Sequence, residues 1–461
     1  MCCFTSDGCC CCAGAGCGSV RFPAHGPRQK QHGVRGCTDV EALVGLLAPG
    51  GSDAALEETV GALAELCGDN TRCQDSIREC GGVAALVGFL APGGSAAVQK
   101  QAAAALAHLC SESVENKDST RECGGVAALV GLLAPGGSAA VHAQAAAALA
   151  NLCRNNVRNQ DSVRECGGAA ALVALLAPGG AEAVRDQAAG TLRQLCFENT
   201  KNKDCVRWCG GIAALLGLLA PGGSAAVHEQ AAAALCILCS DNAQNRDIVR
   251  ECGGLAALVG LLAPGGTDAV RERAAGALVN LCSSNARNRD SVRKCGGVAA
   301  LVTLLAPGGS AGVQARAATA PVNLCWYNAQ HQDSVRECGG IAALVVLLAP
   351  GGSPAVQARA AAALGKLCSS NTRNLDSVRV CGGVAVLVGL LTPDGSSDLH
   401  RYVAGALAHL TSEGEQGRDA VRACGGTAAL EHVLACPSSA AAHEQAAAVL
   451  RNLERVRVDQ L

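Results

Sequence analysis

Cysteine is the residue type in this sequence whose placement suggests the most chemistry. The chain has 29 cysteines in 461 residues, and seven of them fall in the segment MCCFTSDGCCCCAGAGC at residues 1–17. Clustered cysteines near an N-terminus are candidates for S-palmitoylation, and two acyl chains would anchor a protein firmly to a membrane. The candidate acylation sites are Cys2, Cys3, Cys9, Cys10, Cys11 and Cys12.

Two other interpretations of this segment stay open. A zinc site is the weaker one, since Cys9 and Cys12 lack a well-spaced partner pair, and we predict no metal. The other is a disordered leader of biased composition. Residues 1–36 lack the apolar core of a signal peptide, and Pro-Gly-Gly interrupts the apolar runs well before the roughly twenty residues that span a bilayer. We therefore expect reduced thiols and a cytoplasmic protein, associated with membranes only through acylation.

Catalytic chemistry has little support in the sequence. The glycine-rich CGG segments suggest a phosphate loop, but no GxxxxGK[ST] motif exists. The ten histidines are scattered, and the thiol pair Cys236 and Cys239 has no second pair to complete a metal site. We predict no catalytic residue, no cofactor and no enzyme activity. The near balance of 37 basic and 39 acidic residues also argues against a dedicated nucleic-acid binder.

The CGG segments instead mark a tandem repeat. They recur every 43 residues without insertion or deletion, and one further step back reaches the related segment at Cys37. Such a period is typical of repeat arrays. The ten units begin at residues 37, 80, 123, 166, 209, 252, 295, 338, 381 and 424.

One unit, 123–165, contains three helical segments. The apolar residues of GGVAALVGLLA lie at helical spacing, and the helix is expected to run up to Pro-Gly-Gly at 135–137. Ser138 is the expected N-cap of a longer helix ending in ALANLC. Since no unit has a core of its own, each must bury its apolar stripes against its neighbours, as in an α-solenoid.

The third segment, NQDSVREC, predicts a short polar helix. We expect Asn156 and its equivalents to take the left-handed position that ends the preceding helix, and Asn159 to cap the next one. Asp161 is expected in the first turn, where a negative charge meets the helix dipole. The recurring Asp161–Arg164 pair indicates a structural framework, because an i,i+3 pair contributes only a few tenths of a kcal/mol.

The 43-residue pattern resembles the armadillo repeat over residues 30 to about 455. The turn glycine is Gly124 or Gly125, the Leu-Leu pair is Leu132–Leu133, and ALANL ends the third helix. HEAT repeats have two helices, so the three-helix unit favours armadillo. The resemblance implies an all-α, right-handed α-solenoid of about ten repeats at 30–461. Residues 1–29 precede it as a cysteine-rich tail, which we expect to be disordered.

The resemblance also implies function: armadillo arrays bind extended segments of other proteins in a groove lined by third helices. The family's third-helix asparagine, which holds the partner's backbone, is matched by Asn151, Asn280, Asn323 and Asn452. Arg154 is a further groove candidate. The other units carry Glu65, His108, Gln194, Ile237, Lys366 and His409 at the asparagine position.

The tryptophan that importin-α-type arrays carry one turn earlier is absent from these units, which disfavours a nuclear-import adaptor. The seventh unit departs from its siblings because Pro321 stands where they have leucine, and Trp326 and Tyr327 follow. A proline bends a helix, and exposed aromatic residues often anchor partners, so this unit is either a binding site or tolerated drift.

The cysteines of the repeats have a simpler interpretation as small core residues. This expectation covers Cys123 and its equivalents as well as Cys153 and its equivalents. Altogether the sequence predicts a non-enzymatic scaffold or adaptor that binds proteins and no nucleic acid. The alternatives are a membrane-tethered scaffold similar to the vacuolar armadillo type, although Cys2 replaces the glycine that is myristoylated there, and an importin-like carrier.

Overall fold

The computed structural model describes residues 35–47, 52–68, 70–325, 328–436 and 439–455. In these ranges the chain forms 29 α-helices and no strand. The helices follow one another as a first, a second and a third helix in each 43-residue period, which confirms the predicted all-α solenoid. Every helix in the described ranges is too short or too polar to span a bilayer. The predicted tail at 1–29 lies outside them, so its boundary stays a prediction.

Repeat 1 is described from its second helix onward, and repeats 2 to 10 each have three helices. The first helices are α3 Thr71–Glu79, α6 Val114–Glu122, α9 Val157–Glu165, α12 Thr200–Trp208, α15 Ala243–Glu251, α18 Ala286–Lys294, α21 Ala329–Glu337, α24 Thr372–Val380 and α27 Glu415–Ala423. The second helices are α1 Arg35–Gly45, α4 Gly82–Gly88, α7 Gly125–Gly131, α10 Gly168–Ala174, α13 Gly211–Gly217, α16 Gly254–Gly260, α19 Gly297–Thr303, α22 Gly340–Leu347, α25 Gly383–Gly389 and α28 Gly426–Ala435. The third helices are α2 Asp53–Cys67, α5 Ala96–Leu109, α8 Ala139–Cys153, α11 Glu182–Cys196, α14 Ala225–Cys239, α17 Asp268–Cys282, α20 Ala311–Leu324, α23 Pro354–Cys368, α26 Ser397–Ser412 and α29 Ala440–Glu454.

The third helices form one continuous layer. They pack against each other along their lengths, whereas first and second helices of successive repeats meet over much smaller contacts. Third helices of successive repeats therefore lie closer together than first and second helices do, which places the third helices on the inner side of the curved array. Small side chains allow the close approach: Ala145, Ala146 and Ala148 of α8 are fully buried, beside the buried Leu149 and Leu152.

The beginning of the third helix follows the sequence prediction. Ser138 has extended backbone angles, and its side chain accepts a hydrogen bond from the Val141 amide at 3.4 Å, as an N-cap should. The second helix ends earlier than predicted, at Gly131. There the Leu133 amide donates to the Val130 carbonyl at 3.0 Å, an i→i−3 bond that tightens the last turn.

The turn between repeats differs from the prediction at two asparagines. Asn155, with φ 53°, takes the left-handed position, whereas Asn156 is extended and caps α9 by accepting a hydrogen bond from the Asn159 amide at 3.1 Å. Asn156 as a helix terminator and Asn159 as a cap were therefore wrong predictions. The left-handed residue varies between repeats, which hid it in the sequence; its equivalents are Glu198, Asp241, Ser284 and Ser370.

Asp161 was also misplaced by one turn. It lies in the middle of α9 rather than in its first turn, so it does not meet the helix dipole. Its carboxylate accepts hydrogen bonds from Arg164 Nη2 at 3.4 Å and from Asn199 Nδ2, at the next turn between repeats, at 3.3 Å. The predicted Asp–Arg framework is therefore present, and asparagine extends it to the next repeat at five of the turns between repeats.

Asn159 and its equivalents form a column of buried asparagines. Asn159 is 0% exposed, and its Nδ2 donates to the carbonyls of Leu152 at 3.2 Å and Lys117 at 3.4 Å. The side chain thus supplies a donor to the Leu152 carbonyl at the end of α8 and links it to the preceding first helix α6. The buried column consists of Asn116, Asn159, Asn202, Asn245, Asn288 and Asn374.

The next residue of each first helix is a long hydrogen-bond donor, which we call the clamp residue. Arg246 of α15 shows its function: Nε donates to the Cys239 carbonyl at 2.9 Å and Nη1 to the Ser283 carbonyl at 2.8 Å. These carbonyls lie at the ends of two successive third helices, where no intrahelical donor exists. Only repeat 9, with Leu375, lacks a clamp among the described first helices; the others have Gln74, Lys117, Gln160, Lys203, Arg246, Arg289, Gln332 and Arg418.

The two columns of cysteines have opposite environments. The column that ends the third helices is buried, as predicted, and burial raises the pKa of Cys153 to about 12. These thiols therefore remain protonated and pack as small apolar groups. The buried column consists of Cys67, Cys110, Cys153, Cys196, Cys239, Cys282, Cys325 and Cys368.

The column at the CGG turn was wrongly predicted to be buried. Cys123 follows the last residue of α6 as its C-cap, and its main-chain amide bonds to the Ser119 carbonyl while its side chain is exposed. A residue at this cap needs only its backbone for the fold. Cys209 and Cys295 are half-buried, and the exposed members are Cys80, Cys123, Cys166, Cys252, Cys338, Cys381 and Cys424.

The two positions of each CGG turn favour glycine for different structural reasons. Gly124 has φ 79°, a left-handed conformation that favours glycine. Gly125 has an ordinary helical position, but a Cβ there would lie 2.7 Å from the Thr120 carbonyl oxygen and 3.0 Å from Val87 Cγ2 of the preceding repeat. The second glycine therefore allows the second helix to pack closely against the first.

Gly125→Ala is accordingly expected to lower the free energy of unfolding by about 1–3 kcal/mol, as overpacking does. The measurement is the urea midpoint of the full chain. Gly131→Ala is the matched control, because a Cβ at Gly131 would have no neighbouring atom within 4 Å and the backbone there is not left-handed. The control should be neutral or slightly stabilising. Equal midpoints for both variants would show that the helices accommodate a Cβ at position 125 without a loss of stability.

Candidate protein-interaction groove

The solvent-facing stripe of the third helices, which we call the groove face, is a surface that recurs in every repeat of the array. On α8 it comprises Ala143, Gln144, Ala147 and Asn151, which are half-buried, as Ala150 beside them is, while 145–146 and 148–149 are buried. These positions lie at helical spacing on one side of the helix. Because the third helices are aligned, the same four positions of successive repeats form parallel rows along the array.

The row that contains Asn151 includes the asparagines implied by the family resemblance. Asn151 Nδ2 donates to the Ala107 carbonyl of the preceding third helix at 2.8 Å. One amide hydrogen thus links two repeats, while the other hydrogen and Oδ1 make no bond to a described residue. The equivalent bonds run from Asn280 to Cys236 at 3.1 Å, from Asn323 to Val279 at 3.1 Å and from Asn452 to Ala408 at 3.4 Å.

This bond fixes the orientation of each asparagine amide. An amide can donate and accept simultaneously, so a peptide running along the row finds an acceptor at each asparagine and a donor as well at Asn151 and Asn323. The Nδ2 groups of Asn280 and Asn452 make a second bond within the array, to Cys236 Sγ and Thr411 Oγ1. The four asparagines are not consecutive: only Asn280 and Asn323 lie on neighbouring third helices, α17 and α20. The structure therefore brings two of the four predicted residues together and separates Asn151 and Asn452 from them.

Arg154 lies at the end of α8 with an exposed side chain. Its main-chain carbonyl is held by Lys117 Nζ at 2.9 Å, so the residue is positioned by a clamp. The pKa of Arg193, on the next third helix, is lowered by burial first and then by the positive charges of Arg273 and Arg154. Arg154 thus contributes to a region of positive potential on the groove face.

A second basic feature was missed by the sequence analysis. The row that contains Gln144 has glutamine in repeats 2 to 5 and arginine in repeats 6 to 8, namely Arg273, Arg316 and Arg359. Arg273 Nε lies 3.5 Å from Glu229 Oε1, and Arg316 Nε lies 3.8 Å from Glu272 Oε1. Aligning the third helices at the 43-residue period would have revealed this row.

Two of these arginines approach Asn280 and Cys236. A Cβ on Gly276 would lie 3.9 Å from both Arg316 Cδ and Cys236 Sγ, so Arg316 crosses the groove floor above this glycine. Asn280 Nδ2 lies 3.2 Å from Cys236 Sγ. Burial raises the pKa of Cys236, and the charges of Arg316 and Arg273 oppose that rise. Side chains from three successive repeats therefore converge here.

Repeat 7 contains a packing defect at Pro321. The proline lies within α20 and is buried, and it has no amide hydrogen to offer the Ala317 carbonyl. A cavity of about 10 Å³ lies beside it, too small for more than one water. The lining residues are Val298, Leu301, Val302, Leu305, Ala317, Pro321, Leu324 and Val335.

Repeat 8 replaces the buried asparagine by His331, which packs against repeat 7. The side chain is 1% exposed, and Nε2 lies 3.3 Å from Asp290 Oδ1 without the alignment of a hydrogen bond. Burial lowers the pKa of His331, with the Asp290 carboxylate opposing and the guanidinium groups of Arg293 and Arg289 adding to the effect. The neutral imidazole is therefore the form that this junction accommodates.

Other predicted site residues lie outside the described ranges. They are the proposed aromatic anchors Trp326 and Tyr327 and the acylation candidates Cys2, Cys3, Cys9, Cys10, Cys11 and Cys12. Both roles stay predictions.

Comparison with known proteins supports the repeat assignment. The armadillo/beta-catenin-like repeat matches residues 70–111, 113–154, 242–283 and 328–369. Each matched segment runs from the start of a first helix to the end of the third helix of the same repeat. No curated protein gives a significant match.

Two solved structures, both crystal structures of engineered proteins from a structural genomics consortium, are similar to the chain. One is 30% identical, covers 90% of this chain and 99% of its own, and superposes with a TM-score of 0.80. The other is also 30% identical, covers 53% of this chain and 96% of its own, and has a TM-score of 0.50. The three-helix repeat, the matched segments and this similarity over nine-tenths of the length agree, and the chain belongs to the armadillo repeat family.

Proposed function

We propose that this protein is a non-enzymatic interaction scaffold that binds an extended segment of a partner protein along its groove face. The observation that carries the proposal is the row of asparagines whose amides are oriented by a bond to the preceding third helix. Each retains its amide oxygen as an acceptor for a peptide backbone, and Asn151 and Asn323 retain an amide hydrogen as well. Asn280 and Asn323, on the neighbouring helices α17 and α20, suit an extended chain because backbone amides repeat along a strand with a fixed period.

The test is site-specific photo-crosslinking of the full-length chain in its native lysate. A photoreactive residue in place of Ala147 lies on the groove face, and one in place of Glu165 lies on an exposed end of a first helix. We expect the groove position to crosslink a defined set of proteins, each within one short segment, and the outer position to give none of them. Equal labelling by both positions would contradict the proposal.

A combined Asn151→Ala, Asn280→Ala, Asn323→Ala and Asn452→Ala variant is expected to weaken this crosslinking at least tenfold. Hydrogen bonds contribute about 0.5–1.5 kcal/mol each, so even two lost contacts reach this factor. Because the same side chains also link repeats, the variant must be compared with a control variant of equal thermal stability. The control removes four caps away from the groove, as Asn156→Ala, Asn199→Ala, Asn242→Ala and Asn285→Ala, and should retain crosslinking at equal thermal stability.

A further inference from the structure

The charge of the groove face changes along the array. In repeat 1 it carries Glu57, Glu58 and Glu65. In repeats 7 and 8 the third helices α20 and α23 contain no carboxylate at all, but they contain Arg316, Arg359 and Lys366. The groove is therefore mixed in its first half and basic over these two repeats.

The basic row is continuous over three repeats. Arg273, Arg316 and Arg359 occupy the same position of successive third helices, and the side chains of Arg273 and Arg316 are 42% and 53% exposed. Packed helices lie about 8–10 Å apart, so the row extends over roughly 16–20 Å. That length corresponds to about five or six residues of an extended chain.

Intramolecular acids balance this row only in part. The pairs Arg273–Glu229 and Arg316–Glu272 are long and solvent-exposed, and such pairs contribute little stability. At the position that provides Glu229 and Glu272, repeats 7 and 8 have Ala315 and Ala358. Arg359 therefore has no equivalent acidic neighbour in the preceding repeat, and the positive potential increases towards it.

The arginine row and the asparagine row run in parallel. On α17 Arg273 and Asn280 are seven residues apart, two turns along one face of the helix, and α20 repeats the arrangement with Arg316 and Asn323. Arg316 bends over Gly276 towards Asn280 and narrows the gap between the rows. One extended segment thus meets amides for its backbone and guanidinium groups for its side chains.

We propose that repeats 6 to 8 bind an acidic extended peptide segment, with Arg273, Arg316 and Arg359 pairing its carboxylates and Asn280 and Asn323 holding its backbone. The inference rests on the proposed function and specifies the partner's chemistry. Guanidinium groups bind carboxylates through paired, charge-assisted hydrogen bonds, and like charges are rejected by the same row. The row therefore selects against lysine-rich segments.

The test uses fluorescence anisotropy with the full-length chain and three labelled twelve-residue peptides of alternating serine with glutamate, glutamine or lysine. We expect the glutamate peptide to bind roughly tenfold or more tightly than the glutamine peptide, with an affinity that falls as salt rises. The lysine peptide should not bind. A combined Arg273→Glu, Arg316→Glu and Arg359→Glu variant should lose the glutamate peptide and gain the lysine peptide.

The matched control reverses the same amount of charge on exposed first-helix positions, as Arg158→Glu, Arg287→Glu and Arg373→Glu. It should bind the glutamate peptide as the unmodified chain does. If the reversed groove variant fails to fold, Arg273→Gln, Arg316→Gln and Arg359→Gln removes charge without adding repulsion and should lower the affinity for the glutamate peptide.

Several results would overturn the inference. They are equal affinity for the glutamate and glutamine peptides, a preference for lysine, absence of binding, equal weakening by the control, or tighter binding of a single-stranded oligonucleotide than of the glutamate peptide. Groove crosslinking that persists alongside any of these would leave the scaffold function in place and refute only its acidic specificity. Loss of crosslinking from the groove would refute the scaffold function itself.

Discussion

Pro321→Leu is expected to stabilise repeat 7 by about 3 kcal/mol, the cost of proline in the interior of a helix. Leucine restores the amide hydrogen that the Ala317 carbonyl lacks. It also supplies side-chain volume beside the cavity that Pro321 lines. The equivalent residues Leu278 and Leu364 are each only 1% exposed, so the surroundings of this position accept leucine in sibling repeats.

Hydrogen exchange of the amides of α20 is the measurement that resolves this change, because arrays of repeats need not unfold in one step. Protection should rise in α20 and in the neighbouring α17 and α23, and less in α2. The reciprocal control is Leu364→Pro in repeat 8, which should lose a comparable free energy. Unchanged protection in Pro321→Leu would mean that the array has adapted to the proline.

Arg246→Met is expected to destabilise the junction of repeats 5 and 6 by about 3–5 kcal/mol. Methionine keeps the unbranched aliphatic part of the side chain but removes both hydrogen bonds, each from a charged donor to a helix-end carbonyl, and such bonds contribute about 1.5–3 kcal/mol. The carbonyls of Cys239 and Ser283 are then left without the donor that holds them. Burial of the apolar methionine does not replace it.

The measurement is again local exchange, at the carboxyl ends of α14 and α17, together with the urea midpoint. Arg287→Met is the control, since Arg287 is on the following first helix but is exposed. Its effect should stay within about 0.5 kcal/mol, as for most surface substitutions. Similar losses in both variants would show that the clamp is not a particular source of stability.

The repeat length, the number of helices and the start of the third helix could be predicted from the sequence because they rest on periodic signals. The apolar spacing recurs ten times, and Ser138 stands where a cap is chemically preferred. The turn after the third helix was not predictable at the same level. Asn155 and Asn156 are identical residues with opposite roles, and only backbone angles separate them.

The sequence was less informative about which polar residues are buried. Asn159 and Arg246 read as surface residues of a polar helix, yet both lie at junctions where helix ends expose carbonyls. Cys123 shows the opposite error: it was predicted to be a core residue, but its side chain is exposed to solvent. Periodicity shows which face of a helix is apolar. The burial of Asn159 and Arg246 depends instead on hydrogen bonds between repeats, which the sequence of one unit does not reveal.

The clamps also have a consequence for how such an array can change its length. Their acceptors are main-chain carbonyls at the ends of third helices, and every repeat presents these whatever its side chains are. A segment of 43 residues that is duplicated or deleted by unequal crossing-over therefore meets compatible neighbours on both sides at once. The clamp bonds can form at the new boundary without a compensating substitution. Whole repeats can therefore be gained or lost while the third helices still pack as one continuous layer.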